Sequence, residues 1–139
     1  MSTAESLAQS LREHLQLCQN TLALVGREHQ ALRDPATAVS THLLGEKKDL
    51  LSRLAESLNR LRQLRMEWTR LSPAERTRHP DVTTLLRQNQ DVIMRIVMLD
   101  RENEQALLRR GLLPPTHVPP SQQQRPLYVA NLYQDRLPK

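Results

Sequence analysis

The chain is 139 residues long, carries a formal net charge of +5 and contains only 2% aromatic residues. This length suits one domain, and a composition rich in leucine, arginine, glutamine and glutamate is typical of long helices. Acidic residues are interspersed among the arginines, which favours a solvated helix surface over nucleic-acid binding. The single cysteine excludes an internal disulfide framework, and no apolar run approaches the roughly 18 residues of a membrane span. We therefore expect a cytoplasmic, all-α protein that does not insert into the membrane.

The first predicted helix covers residues 3–33. Ser2 or Thr3 can cap its N-terminus, and Pro35 disfavours helical geometry at the residue before it. Between these limits one helix face is marked by residues spaced three or four apart, namely Leu7, Leu11, His14, Cys18, Leu22, Val25, His29 and Leu32.

A second helix is predicted over residues 37–71, with a broad leucine face that is interrupted by Lys47. After it, Ser72 can cap a new N-terminus, Pro73 suits the first helical position, and Glu75 suits the third. The stretch SPAERTRHP is therefore expected to be a connecting turn that holds one short helical turn.

The third predicted helix covers residues 80–110 and should end at Gly111. Asn89 and Asn103 interrupt its apolar face fourteen residues apart. Buried asparagines in a helical seam fix register at some cost in stability, whereas exposed ones have no such role. The sequence leaves these two alternatives open.

The composition changes after Gly111, because residues 112–139 contain repeated prolines that cannot continue a helix. This segment ends with a short amphipathic stretch, LYVANLYQ, which holds both tyrosines of the chain. The predicted architecture is thus a long antiparallel helical hairpin or three-helix coiled-coil bundle over residues 1–111. An extended, flexible tail over residues 112–139 should follow it.

The sequence shows no signature of an enzyme, and we expect no catalytic residue, cofactor or metal. Its glycines are isolated, so no phosphate-binding loop is present. His14 and Cys18 are one turn apart, but a buried cysteine beside a half-buried histidine explains this pair better than a nucleophile or a zinc site. An elongated bundle of this kind suits protein binding, because an apolar strip left uncovered can accept an amphipathic helix.

Three stretches, in this order, resemble the FlgN family of flagellar export chaperones. GEKKDLLSRLAESLNRLRQL at 45–64 is similar to the family's middle helix, through Glu46, Lys47, Leu50 and Leu51. LLRQNQDVIMRIVMLDRENEQALL at 85–108 resembles its long third helix. PLYVANLYQ at 126–134 is similar to a Leu-Tyr-x-Ala element near the family's C-terminus.

The resemblance implies a cytoplasmic chaperone that binds the C-terminal segments of hook–filament junction proteins. It would prevent their premature assembly and deliver them to the membrane export gate of the flagellar type III apparatus. The resemblance assigns gate binding to Leu127, Tyr128 and Ala130. It assigns the client-binding face to Ile93, Ile96, Val97 and Leu107.

Several alternatives stay open at the level of the sequence. Val129 stands where the family often has glycine, so either Tyr128 or Tyr133 could dock at the gate. The tail could also fold back onto the apolar groove of its own helices. The chain could instead be a structural coiled-coil adaptor unrelated to secretion or, less in keeping with its charge pattern, a weak nucleic-acid binder.

Overall fold

The computed structural model describes residues 2–34, 36, 38, 40–111 and 129–133, with only the backbone of residues 130 and 131. These residues form helices and connecting turns, with no strand among them, and the predicted all-α architecture is confirmed. The helices are α1 (Thr3–Arg33), α2 (Thr41–Thr69), α3 (Pro73–Thr77), α4 (Pro80–Arg109) and α5 (Val129–Tyr133).

Serine side chains fix the starts of three helices. The hydroxyl oxygens of Ser2, Ser40 and Ser72 each accept a hydrogen bond from the backbone N–H three residues later. Residue 37 was therefore the wrong start for the second helix, since Ser40 caps it and helical geometry begins at Thr41. The predicted helical turn after Ser72 is confirmed as α3. The helix α4 ends before Gly111, whose φ of 71° is the left-handed geometry that glycine adopts without strain.

The three long helices alternate in direction. Glu28 of α1 pairs with Lys47 of α2, while His14, further back in α1, meets Ser57, further on in α2. Residue numbers fall along α1 in the direction in which they rise along α2, so the two helices are antiparallel. Lys47 also pairs with Asp100, near the end of α4.

Helices α1 and α4 are parallel and share a heptad register. Asn89 donates to the carbonyl oxygen of Leu11 and Asn103 to that of Val25, over 3.1 Å in each case. Arg110 makes the same kind of bond to Leu32 over 3.2 Å, and all three pairs are separated by 78 residues. Since Asn89 and Asn103 are both buried, the register alternative is confirmed over solvent exposure.

Helix α1 is the centre of the bundle. It packs along both α2 and α4, whereas α2 and α4 make few direct contacts with each other. Helices α2 and α4 both pack on α1, and among the residues of the three long helices a groove therefore separates them from each other.

The buried side chains form two clusters along this groove. The Trp68 cluster lies at the α2–α3–α4 end and consists of Ala4, Leu7, Ala8, Leu11, Leu61, Trp68, Val82 and Leu85. The Tyr133 cluster lies toward the other end and consists of Cys18, Val25, Leu51, Leu54, Ile96, Val129 and Tyr133. Only the second cluster draws residues from α5.

Candidate functional site: the groove between α2 and α4

Helix α5 lies in the groove and closes part of it. Its Val129 side chain is fully buried and that of Tyr133 is 2% exposed, and both belong to the Tyr133 cluster. Val129 is level with Lys47 and Asp100, whereas Tyr133 is level with Ser57 and His14. The helix α5 therefore runs parallel to α2 and antiparallel to α4.

The Tyr133 side chain ends in a small polar pocket on α1. Its hydroxyl is 2.9 Å from His14 Nε2 and 3.9 Å from Cys18 Sγ. The other nitrogen of the His14 ring, Nδ1, is 2.8 Å from Ser57 Oγ. The two rings meet edge to face at 69°. Both His14 nitrogens thus have a hydrogen-bond partner while Tyr133 occupies the groove.

Burial keeps these groups uncharged. Desolvation, helped by the positive charge of Arg60, lowers the pKa of His14 from 6.5 to about 4. Desolvation raises the pKa of the Cys18 thiol to about 12 and also raises the pKa of the Tyr133 hydroxyl. At neutral pH the pocket holds a neutral imidazole, a thiol and a phenol, which suits hydrogen bonding and not nucleophilic chemistry.

A buried charge cluster fixes the other end of α5. Asp100 Oδ2 accepts a hydrogen bond from the backbone N–H of Val129 over 2.7 Å. Asp100 Oδ1 accepts from Lys47 Nζ over 2.7 Å, and Lys47 also donates to Glu28 over 3.0 Å. Desolvation raises the pKa of Asp100, and the adjacent Lys47 ammonium group opposes this shift. The carboxylate therefore joins α2, α4 and α5 at one point.

Asn103 extends this cluster toward the end of α1. Its amide nitrogen donates to Glu28 Oε1 over 2.9 Å and to the carbonyl oxygen of Val25, and its oxygen lies 3.0 Å from His29 Nδ1. Every polar atom of this side chain thus has a partner. A fully satisfied network of this kind specifies one arrangement of helices.

An open cleft continues the groove beyond Tyr133, toward the Trp68 cluster. Its volume is about 180 Å³. Buried Asn89 lines this cleft, and its Oδ1 atom has no hydrogen-bond partner among the described residues. The other lining residues are Leu11, His14, Leu58, Leu61, Arg62, Arg65, Leu86, Gln90, Ile93 and Tyr133.

The four residues assigned to client binding occupy different places. Ile93 is half-buried and lines the cleft, and Ile96 lies fully buried in the Tyr133 cluster. Val97 is buried at 1% exposure, and Leu107 is half-buried near the end of α4. The structure thus brings Ile93 and Ile96 to the groove, and it brings neither Val97 nor Leu107 to the cleft.

The residues assigned to gate binding fall largely outside the described part of the chain. Leu127 and Tyr128 are not among the described residues, and Ala130 is described only as backbone in α5. Residues 129–133 do fold back onto the groove, as one of the sequence-based alternatives predicted. Tyr133 consequently has its hydroxyl buried in the free protein.

Sequence reasoning missed the polar groups that anchor α5. In the sequence, Lys47 interrupts a leucine face and belongs to the stretch that resembles the FlgN middle helix, whereas Asp100 is one of the acidic residues interspersed among the arginines. Both lie on otherwise apolar helix faces, and a charge in such a position is a signal for a buried ion pair. The partner of each charge depends on the register between helices, which a single sequence does not show.

No protein-family model, curated protein or solved structure matches this chain. Among the described residues, no group of three or more His, Cys, Asp or Glu side chains could hold a metal ion. None of the described helices combines the length and the hydropathy needed to cross a membrane.

Proposed function

We propose that this protein is a cytoplasmic export chaperone that binds an amphipathic helix of its client in the groove between α2 and α4. The observation that carries the proposal is α5 itself. A short amphipathic helix of this chain docks there with a buried aliphatic and a buried aromatic side chain, beside a cleft that continues the groove. A groove that accepts one such helix is suited to another.

The energetics favour a longer occupant. Helix α5 has five residues, and none of the residues that the structure describes covers the cleft beyond Tyr133. A client helix of several turns would also cover the half-buried Leu58, Leu86 and Ile93. Complete burial of a large exposed side chain contributes about 1.5–3 kcal/mol at about 25 cal/mol per Å² of apolar area removed from water, so each of these half-buried side chains would contribute a part of that before the cost of ordering the client.

The resemblance to the FlgN family supplies the identity of the clients. These are the C-terminal segments of flagellar hook–filament junction proteins, which the chaperone would keep from assembling and bring to the export gate. In this proposal Tyr128, with Leu127 and Ala130, contacts the gate. Replacing Tyr128 with alanine should leave the helical content and client binding intact while weakening the contact with the gate.

Co-purification with a client segment tests the proposal. Full-length protein is expected to retain the C-terminal segment of a junction protein on size-exclusion chromatography. The variant Ile93→Asp should lose at least tenfold in affinity, because it places a charge in the apolar cleft. The adjacent Met94→Asp is the matched control, since Met94 is 39% exposed and does not line the cleft.

The outcome also separates this proposal from a structural adaptor. Retention of the junction segment by the wild type and by Met94→Asp, with loss in Ile93→Asp, supports a chaperone that uses this groove. Failure to retain any junction segment, with unchanged helical content, would contradict the proposal and favour an adaptor that serves other partners.

A further inference from the structure

We propose that the groove selects a tyrosine-bearing amphipathic helix in one orientation, and that α5 holds this place until the client helix displaces it. This inference rests on the proposed function and adds the recognition chemistry. The client helix would begin at Asp100 and place a tyrosine hydroxyl at His14. It would thus repeat the pattern of Val129 and Tyr133, an aliphatic residue followed four positions later by a tyrosine.

The requirement for a hydroxyl follows from the His14 pocket. A neutral imidazole has one donor and one acceptor nitrogen, and Ser57 satisfies only one of them. The other nitrogen, Nε2, is paired with the Tyr133 hydroxyl over 2.9 Å, and the same hydroxyl lies 3.9 Å from Cys18, a weak hydrogen-bonding group. A phenylalanine in place of the tyrosine would fill the volume and leave that nitrogen unpaired, which costs more than the loss of an exposed hydrogen bond.

The orientation follows from Asp100. The second carboxylate oxygen of Asp100, Oδ2, accepts a hydrogen bond from the backbone N–H of Val129, the first residue of α5. Unpaired N–H groups occur at the start of a helix, whereas the end presents carbonyl oxygens that a carboxylate would repel. Only a helix with its N-terminus at Asp100 provides this donor. Because the position of Asp100 is fixed by Lys47, the orientation is built into the bundle.

The cleft beyond Tyr133 sets the chemistry of the next turn. Asn89 donates to the carbonyl oxygen of Leu11, one turn before His14 in α1, and its Oδ1 atom has no partner among the described residues. A client helix that continues past its tyrosine would offer a polar donor to this oxygen. The exposed Arg62 and Arg65 at the rim favour acidic residues on the client's outer edge.

The reactivity of the Cys18 thiol indicates whether the groove is occupied. Cys18 is the only cysteine of the chain, it is fully buried, and its sulfur lies 3.9 Å from the Tyr133 hydroxyl. Loss of Tyr133 from the groove opens a path from solvent to this thiol. Its rate of reaction with 5,5′-dithiobis(2-nitrobenzoate) therefore measures whether a tyrosine fills the pocket.

The experiment uses the full-length Tyr133→Ala variant and a synthetic peptide with the sequence of residues 125–139. We expect Cys18 to react at least tenfold faster in this variant than in the wild type, and the peptide to restore protection. When the peptide carries phenylalanine at the position of Tyr133, about tenfold higher peptide concentration should be needed to protect Cys18 equally. This ratio corresponds to the loss of one buried hydrogen bond. A peptide with the reversed sequence should not protect.

The milder variant Tyr133→Phe guards against a folding artefact, and circular dichroism should show equal helical content in all three proteins. In Tyr133→Phe the ring still covers Cys18, so labelling should rise less than in Tyr133→Ala. Equal protection by the tyrosine, phenylalanine and reversed peptides would overturn the inference. Labelling of Tyr133→Ala at the wild-type rate would also overturn it.

A final arm separates this inference from the proposed function. The junction-protein segment is added to Tyr133→Ala, and both retention and Cys18 labelling are measured. Retention with protection of Cys18 supports the inference. Retention without protection would place the client elsewhere and contradict the inference while leaving the chaperone proposal standing. Absence of retention would contradict the chaperone proposal, and the peptide arms would still decide what the groove recognises.

Discussion

The two ends of the bundle are built in different ways. The Trp68 cluster is filled by leucine, alanine, valine and tryptophan from α1, α2 and α4. The opposite end buries Lys47, Glu28, Asp100 and Asn103, and its Tyr133 cluster is completed by the separate helix α5. The first end closes chiefly by apolar contacts, with Asn89 as its one buried asparagine among the described residues, whereas the other needs a network of polar partners and an added segment.

The apolar end and the polar end therefore have different roles in the bundle. Apolar packing is non-directional and tolerates many arrangements of similar volume. Buried polar groups require partners at fixed positions, and an occupant of the wrong chemistry leaves them unpaired. We infer that the Trp68 cluster contributes stability without requiring specific partners, while the polar end determines which helix docks in the groove and loses stability when one of its buried partners is removed.

Removal of the Lys47 ammonium group should have the largest effect. Lys47→Ala leaves the Glu28 and Asp100 carboxyl groups buried without their cation. The loss should lower the free energy of unfolding by about 3–5 kcal/mol. The matched control is Lys48→Ala, which removes an adjacent exposed lysine and should change stability by less than about 0.5 kcal/mol. Urea denaturation of both variants measures the difference, and equal stabilities would show that the buried pair does not hold the polar end.

Acidification should weaken the fold through His14. Its pKa in the folded protein is about 4, below the ordinary value of 6.5. The unfolded chain therefore binds a proton at higher pH than the folded chain does, and the free energy of unfolding should fall as pH drops from 6.5 toward 4. A shift of this size corresponds to about 3 kcal/mol.

The variant His14→Gln tests the origin of this pH dependence. It should show a shallower loss of stability between pH 6.5 and pH 4 than the wild type. His42→Gln, which alters an exposed histidine, should keep the wild-type slope. If the free energy of unfolding falls equally steeply with pH in the wild type and in His14→Gln, the pH dependence comes from other groups.

Replacement by leucine should change stability by different amounts at Asn89 and at Asn103, although both side chains bind α1 in the same register. Asn103→Leu removes hydrogen bonds to Glu28, Val25 and His29 and should cost about 2 kcal/mol. Asn89→Leu removes an unpartnered buried oxygen, and the carbonyl oxygens it contacts keep their intrahelical bonds, so stability should stay within about 1 kcal/mol of the wild type. Thermal unfolding of both variants checks this order, and a larger loss in Asn89→Leu would reverse the assignment.

The smallest predicted effect belongs to the Tyr133 hydroxyl. Tyr133→Phe should reduce the free energy of unfolding by about 1 kcal/mol, because His14 Nε2 loses its partner while the ring still fills the groove. Thr84→Val is a control that deletes an exposed hydroxyl and should change less. Chemical denaturation can resolve this difference, and indistinguishable stabilities would remove the hydroxyl from the account of docking.

The helices were predictable from the sequence because local signals define them. Ser2 and Ser72 supply caps, Gly111 ends α4, and the spacing of the leucines marks the faces that pack. The start of α2 was placed four residues too early, because apolar periodicity does not define a helix end as sharply as the Ser40 cap does.

The groove was less predictable, since its chemistry depends on contacts across the fold. Lys47 and Asp100 are separated by 53 residues, and Tyr133 and His14 by 119. An apolar strip was expected from the leucine pattern, but the polar anchors at its end required the register between α1, α2 and α4.

Hydrogen exchange at the Val129 amide measures whether a client displaces α5, because that N–H is hydrogen-bonded to Asp100 only while α5 occupies the groove. With saturating junction-protein segment, we expect this amide to exchange at least tenfold faster while the amides in the middle of α1 stay protected. A client that binds without changing exchange at Val129 would show that the helix-binding site lies elsewhere on the molecule.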